Sequence, residues 1–212
     1  MKIIKITLIV FVLILIVGGV WFVFGSSDDL PEKEPPEDNS DQSVLEELTF
    51  EQKVGQRFII GFQGTTVTPD LESKMKELHP GGVLLLKRNI KDKQQLKDLT
   101  NELQQIALED TGLPLLIAVD QEGGSWCRID WLNCTAPAEI DSAIKAFEVG
   151  QQRGKELQQL GVNLNLAPVL DESSEGDFIH SRTFQSEEAG SLGKSIIQGQ
   201  QHHVLSVLKT FP

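Results

Sequence analysis

Cysteine is nearly absent from this chain of 212 residues: Cys127 and Cys134 are the whole supply. A structural zinc site needs four ligands, and no further pair lies near these two, so no metal centre is expected. There is no Gly-x-Gly-x-x-Gly and no P-loop, which removes the two glycine-rich cradles that hold dinucleotides and nucleoside triphosphates, and no cofactor is expected. Positive charge is also scarce. With 19 Lys and Arg against 31 Asp and Glu, a net of −12, the chain is set against binding nucleic acid.

That acidity is not spread evenly. Asp28 to Glu47 holds nine acids against Lys33 alone, together with Pro31, Pro35 and Pro36 and almost nothing apolar. Such a composition predicts a solvated, disordered tether over residues 28–47. Upstream, Ile6 to Phe24 carries no charge and is built of Ile, Leu, Val and Phe, about the length that crosses a bilayer as a helix. Lys2 and Lys5 precede it and acids follow, which by the positive-inside rule leaves residues 1–5 as a cytoplasmic stub and the rest outside. Residues 6–27 are thus a single-pass transmembrane anchor or an uncleaved signal. A cleaved signal peptide is the competitor, but Trp21-Phe22-Val23-Phe24 leaves no small-x-small site at the usual place, and no Cys follows for lipid attachment. On the outer side a Cys127–Cys134 disulfide is permitted, and closing so short a loop contributes about 2 to 3 kcal/mol in the chain-entropy model. Two separate thiols are the alternative.

From Ser43 onward, short apolar runs alternate with amphipathic helical patterns, which predicts βα units and a parallel sheet. Thr49 and Gln52 form a capping-box pattern before a short helix, and Phe58 to Phe62 reads as a first strand. Thr68-Pro69 opens a helix with Leu71, Met75 and Leu78 on one face, and Val83 to Leu86 is a second strand. Leu96, Leu99, Leu103 and Ile106 line a further helix that Gly112 can cap. Leu115 to Val119 follows as a third strand, buried on both faces. A helix from about Ile140 to Leu160 is expected to turn Ile144, Phe147, Gly154 and Leu157 inward. Val162 to Pro168 is a fourth strand whose alternating Asn163 and Asn165 suit a barrel interior or a half-exposed strand equally. A helix over Ala189 to Gln201 leads to the fifth strand, Val204 to Leu208. Five such units without a nucleotide-binding motif favour a TIM-like (β/α)8 barrel, yet Ser43 to Pro212 is 170 residues, against roughly 250 for a closed barrel. The expectation is an incomplete barrel of about five βα units.

The chemistry gathers where the third strand ends. Asp120, Gln121 and Glu122 follow the apolar run directly, and Gly123-Gly124 lets the backbone turn sharply. Polar groups at the carboxyl end of a buried parallel strand occupy the place where α/β folds keep their sites. Spaced two apart, Asp120 and Glu122 share a face, which from the residues alone suggests the paired carboxylates of a retaining glycosidase, about 5 Å apart. Lys87-Arg88-Asn89 and Asp171 end other strands on the same rim, although ordinary loop residues look no different.

Six blocks in order carry a resemblance: Gly55-Gln56; Gly81-Gly82-Val83 with Arg88-Asn89; Ala118 through Gly124; Asn165 through Asp171; Arg182-Thr183-Phe184; and Lys209-x-Phe211-Pro212. Over roughly Leu48 to Pro212 the chain resembles glycoside hydrolase family 3, nearest its β-N-acetylhexosaminidase branch. The resemblance implies a TIM-like barrel over 48–212 that removes terminal β-linked sugars with retention of configuration and no metal. N-acetylglucosamine of cell-wall or chitin-type glycans is the typical substrate. It assigns Asp120 to hydroxyls of the terminal sugar, and Arg128, Arg182 and Lys209 to the same pocket; a carboxylate accepts from vicinal hydroxyls while Lys and Arg only donate. It also argues against Asp120 and Glu122 as acid and nucleophile, because the family's nucleophile is an Asp near a later strand and its acid/base a His on a later loop. Both are expected beyond Pro212, so the chain is expected to be inactive alone. Thr210 stands where most members have His, and Ser125 where most have Arg; these departures leave a β-glucosidase-type specificity open.

A non-catalytic, anchored glycan-binding or scaffold protein is the alternative from another class, with Trp126 and Trp131 as stacking platforms. Lys209 as a Schiff-base lysine has nothing else in its favour. His202-His203 are adjacent and cannot share a helical face, and Asn133-Cys134-Thr135 is a glycosylation sequon that competes with Cys134 pairing.

Overall fold

Local capping decides where the outer helices begin. In the computed structural model, which describes residues 46–210, the Thr49 side chain accepts from the Gln52 amide and Gln52 reaches back to Thr49, opening α1 (Phe50–Gly55). Thr68 caps α2 (Pro69–Leu78) with proline at its first turn, and Asp92 caps α3 (Lys93–Thr111), which Gly112 ends in the left-handed region at φ 74°. Ser142 caps α4 (Ala143–Gln158), and α5 (Ala189–Gln200) completes the set. Residues 1–45 lie outside the described part, and with them the expected anchor and most of the acidic tether. Phe211 and Pro212 lie outside it too. Among the described residues no helix is long and apolar enough to cross a membrane.

The strands are β1 (Ile59–Gly61), β2 (Gly82–Leu85), β3 (Leu116–Val119), β6 (Leu164–Asn165) and β7 (Leu205–Ser206). They pair in the order β1-β2-β3-β6-β7, all parallel, so the chain is α/β with a five-stranded parallel sheet as the alternation predicts. β3 is covered on both faces: Ile117, Ala118 and Val119 are all buried. One core gathers Val83, Leu85, Ile117 and Val119 with Met75 from α2 and Leu96, Leu99 and Leu103 from α3. A second joins Ala146 and Val149 of α4 to Leu192 and Ile196 of α5.

Two helical faces differ from the expected ones. On α4, Ile144 is 75% exposed and Phe147 is also exposed, whereas Ala146, Val149, Gly150, Arg153, Gly154 and Leu157 are buried. Glycine sets that rotation. A Cβ on Gly150 would sit 2.3 Å from the Ile196 carbonyl oxygen, and one on Gly199 would sit 2.3 Å from that of Phe147, so α4 and α5 touch backbone to backbone along this line. On α2, Leu71 and Met75 are buried but Leu78 is half exposed, next to Phe50, Val54 and Phe58.

β6 is short because side chains continue its ladder. The Asn163 amide accepts from the Ile117 N–H at 2.7 Å and donates to the Leu115 carbonyl at 2.9 Å, standing in for a peptide group beside β3. Asn165, fully buried, does the same for Gln121, accepting from its N–H at 3.0 Å and donating to its carbonyl at 3.2 Å. The alternating asparagines therefore fasten neighbouring backbone.

Candidate functional site at the carboxyl end of the sheet

Immediately past β3 the chain forms a small antiparallel hairpin, β4 (Gln121–Gly123) and β5 (Trp126–Cys127), where the sequence suggests only a loop. Gly123 is required at its turn: φ is 104°, and a Cβ there would lie 2.0 Å from the Thr135 carbonyl oxygen. Cys127 and Cys134 are bonded, with Cα atoms 5.6 Å apart, and the Gly124 N–H donates to the Cys134 carbonyl at 2.8 Å. Gln121 points to the interior, where its amide donates to the Ile129 carbonyl at 3.1 Å and accepts from the Ile129 N–H at 3.0 Å. The loop that carries Arg128 is thus fixed at both ends.

On the opposite face from Gln121 stand Asp120 and Glu122, as a two-residue spacing requires. Lys209, just past β7, donates from one Nζ to both: 2.6 Å to Asp120 Oδ1 and 2.6 Å to Glu122 Oε1. A parallel bridge between Val169 and Lys209 holds that lysine beside the end of β6. Arg182, in a single 3-10 turn of the loop after β6, grips Glu122 with both arms, Nε to Oε2 and Nη2 to Oε1, each at 2.8 Å. Arg128 Nη2 reaches Asp120 Oδ2 at 3.4 Å. The four residues singled out from the sequence, Asp120, Arg128, Arg182 and Lys209, therefore meet at one place, the carboxyl rim of the sheet.

Glu122 is the fifth member, and it is the anchor of the group. Its side chain is 1% exposed and each oxygen is engaged, Oε1 by Arg182 and Lys209 and Oε2 by Arg182, so neither is open to a reactant. That geometry speaks against Glu122 as a nucleophile. Its hydrogen bonds hold the Arg182 guanidinium above its ordinary pKa, with the Glu122 and Asp120 charges adding to the effect. Asp120, Arg128 and Lys209 stay partly open to solvent. Three cations face two carboxylates, and Arg128 Nε is buried without a partner among the described residues. Spare donors around a carboxylate that accepts suit a neutral ligand bearing several hydroxyls.

Arg153 was not singled out. It is buried in α4 and donates to the Glu122 carbonyl at 3.0 Å and to that of Thr135 at 3.1 Å, clamping the two ends of the disulfide-bearing loop. Burial pushes its pKa down to about 10. A lone arginine among Gly150, Gly154 and Leu157 on a helix's inward face is the signal that could have found it.

Other candidates go elsewhere. Arg88 and Asn89 donate to the Phe62 carbonyl and so secure the loop after β1, and Lys87 pairs with Asp130. Asp171 lines a separate polar hollow of about 550 Å³ with Glu172 and Glu187. Thr210 turns its hydroxyl onto the Lys209 carbonyl at 2.7 Å, and Ser125 is exposed at the hairpin turn. Among the described residues no cluster of His, Cys, Asp or Glu could hold a metal ion. His203 bonds Gln158 at 3.1 Å at a helix end.

Comparison with known proteins supplies the context for this rim. β-Hexosaminidase A of Pseudoalteromonas piscicida is 32% identical over 198 residues, covering 78% of this chain and 33% of that protein. A β-hexosaminidase of Hydrogenovibrio crunogenus is 31% identical over 184 residues, covering 77% of this chain and 50% of its own length. Among solved structures, a glycoside hydrolase family 3 β-N-acetylglucosaminidase from Paenibacillus sp. superposes with a TM-score of 0.68 at 34% identity, covering 76% of this chain and 33% of that one. The chain thus spans a third to a half of the length of these relatives. The model of the glycosyl hydrolase family 3 N terminal domain matches residues 49–212, from the cap of α1 through the rim lysine and beyond, and the chain belongs to that family.

Proposed function

We propose that the rim cluster binds the terminal sugar of a β-linked glycan, N-acetylglucosamine foremost. In this reading the chain supplies the sugar-holding part of a retaining glycosidase of cell-wall or chitin-type glycans, built on an incomplete TIM-like barrel. The observation that carries it is the convergence of Asp120, Arg128, Arg182 and Lys209 around the buried Glu122. Asp120 accepts from two neighbouring hydroxyls, and Arg128 and Lys209 turn from it to donate to the sugar's oxygens. Glu122 keeps Arg182 and Lys209 in place without entering the reaction. Asp120 is committed to the sugar's hydroxyls and Glu122 to Arg182 and Lys209, and we assign the nucleophile and the acid/base to the part of the longer relatives that this chain does not cover. Residues 1–212 therefore bind without hydrolysing.

The same proposal puts the domain outside a membrane, on a single-pass anchor formed by residues 6–27 and an extended acidic tether that ends before Glu46, where the described chain is helical and not extended as the composition predicts. Its support is the uncharged run Ile6 to Phe24 between Lys2 and Lys5 and the acids that follow.

Calorimetry of the full chain in detergent micelles tests the reading. At roughly 0.3 kcal/mol per ligand atom, a monosaccharide is expected to bind in the range of about 1 mM. N-acetylglucosamine is expected to bind more tightly than glucose, and a chromogenic β-N-acetylglucosaminide is expected to remain uncleaved. Heat from neither sugar in a folded sample rejects the proposal.

A further inference from the structure

One aromatic residue at this rim leaves most of its ring to solvent. Phe178 is 81% exposed, on the loop after β6, and its ring meets Trp126 edge to face with centroids 6.2 Å apart and planes at 84°. Its backbone is held on both sides: the Asp177 N–H donates to the Ser174 carbonyl at 3.1 Å, and the His180 N–H to the Asp177 carbonyl at 3.1 Å. The ring of Trp126 is itself engaged by two guanidinium groups, with the Arg182 carbon 4.2 Å and the Arg128 carbon 4.8 Å from its centroid. Trp126 therefore joins Phe178 to the charged cluster. Trp131, the other tryptophan of the loop, makes no ring or cation contact among the described residues.

We propose that Phe178, propped by Trp126, is the platform for a second sugar, the one joined to the anomeric carbon of the sugar held at Asp120. The inference rests on the proposed function above and deepens it. A terminal sugar whose ring hydroxyls enter a cluster anchored on a buried glutamate must turn its anomeric carbon outward. Whatever is attached there emerges at the mouth, where Phe178 stands. A β-linked N-acetylglucosamine unit is an equatorially substituted ring with axial C–H groups on each face, and such a face covers an exposed aromatic ring without stranding a hydroxyl. An aromatic ring gives up little conformational freedom on contact, so the platform costs little to order.

The test compares the β-1,4-linked disaccharide of N-acetylglucosamine with the monosaccharide, using the full chain and its Phe178→Ala and Phe178→Trp variants in the same micelles. The wild type is expected to bind the disaccharide about fivefold more tightly than the monosaccharide. Phe178→Ala should lose that ratio and keep its monosaccharide affinity, and Phe178→Trp should retain the ratio. An unchanged ratio in Phe178→Ala, no preference for the disaccharide in the wild type, or equal loss of both sugars in Phe178→Ala overturns the platform while the terminal-sugar reading stands. If the wild type binds neither sugar, that reading falls and the platform falls with it.

Discussion

The two ends of one parallel sheet are built from opposite chemistry. At the amino end, Phe50, Val54, Phe58 and Leu78 are exposed around an apolar groove of about 460 Å³ that also touches Ile60 and Pro80. At the carboxyl end, charged side chains from three separated stretches converge, and the most deeply placed of them, Glu122, has every oxygen engaged. Apolar side chains in a groove are interchangeable to within volume and position. A bidentate ion pair is not, because it fixes direction as well as proximity and its loss strands a charge. The difference puts directional, charged chemistry at the carboxyl end and apolar surface at the amino end.

Glu122→Ala should separate the two ends most clearly. It leaves Arg182 without its carboxylate and is expected to cost about 3 kcal/mol in chemical denaturation. A loss below about 1 kcal/mol would mean that the cluster is held from elsewhere. Next comes the disulfide: replacing Cys127 and Cys134 by serine should cost about 2 to 3 kcal/mol and weaken sugar binding through Arg128, whose loop loses its closure. Arg153→Met removes two hydrogen bonds to carbonyls but also relieves a buried charge, so a net loss of about 1 to 2 kcal/mol is expected.

That variant has a pH signature. Because burial holds the folded-state pKa of Arg153 down at about 10, below its ordinary value in the unfolded chain, the unfolded state holds more protons above that pH. The difference between wild type and variant should be flat from neutral pH to about 9 and shift toward the wild type only as pH rises past about 10. At the amino end, Phe58→Ser should change stability by no more than about 0.5 kcal/mol and leave sugar binding untouched. A large loss of binding there would erase the contrast.

Helix starts were legible in the sequence where a threonine could satisfy a free N–H, as at Thr49 and Thr68, and the strands as short apolar runs between turn residues. Three features escaped for physical reasons. The strands of the β4–β5 hairpin are three and two residues long, too short for any periodicity, and Gln121, not a hydrophobic stripe, sets its geometry. The inward face of α4 follows the glycines through which it touches α5, whereas a search for large apolar residues points to Ile144 and Phe147. Asn163 and Asn165 replace peptide groups, a role that strand alternation does not reveal. At the site, the sequence points to Asp120, Arg128, Arg182 and Lys209, and the structure brings the four together. Arg153 acts only through backbone carbonyls, and the spacing of Glu122 from Asp120 does not mark it as the cluster's anchor.

Amide NMR of the isotope-labelled full chain in micelles, titrated with N-acetylglucosamine, bears most directly on the account. Shifts confined to Asp120–Arg128, Arg182 and Lys209, with Phe50, Val54 and Phe58 unmoved, are the predicted result. Shifts centred on the amino-end groove, or none at saturating sugar in a folded sample, would contradict it.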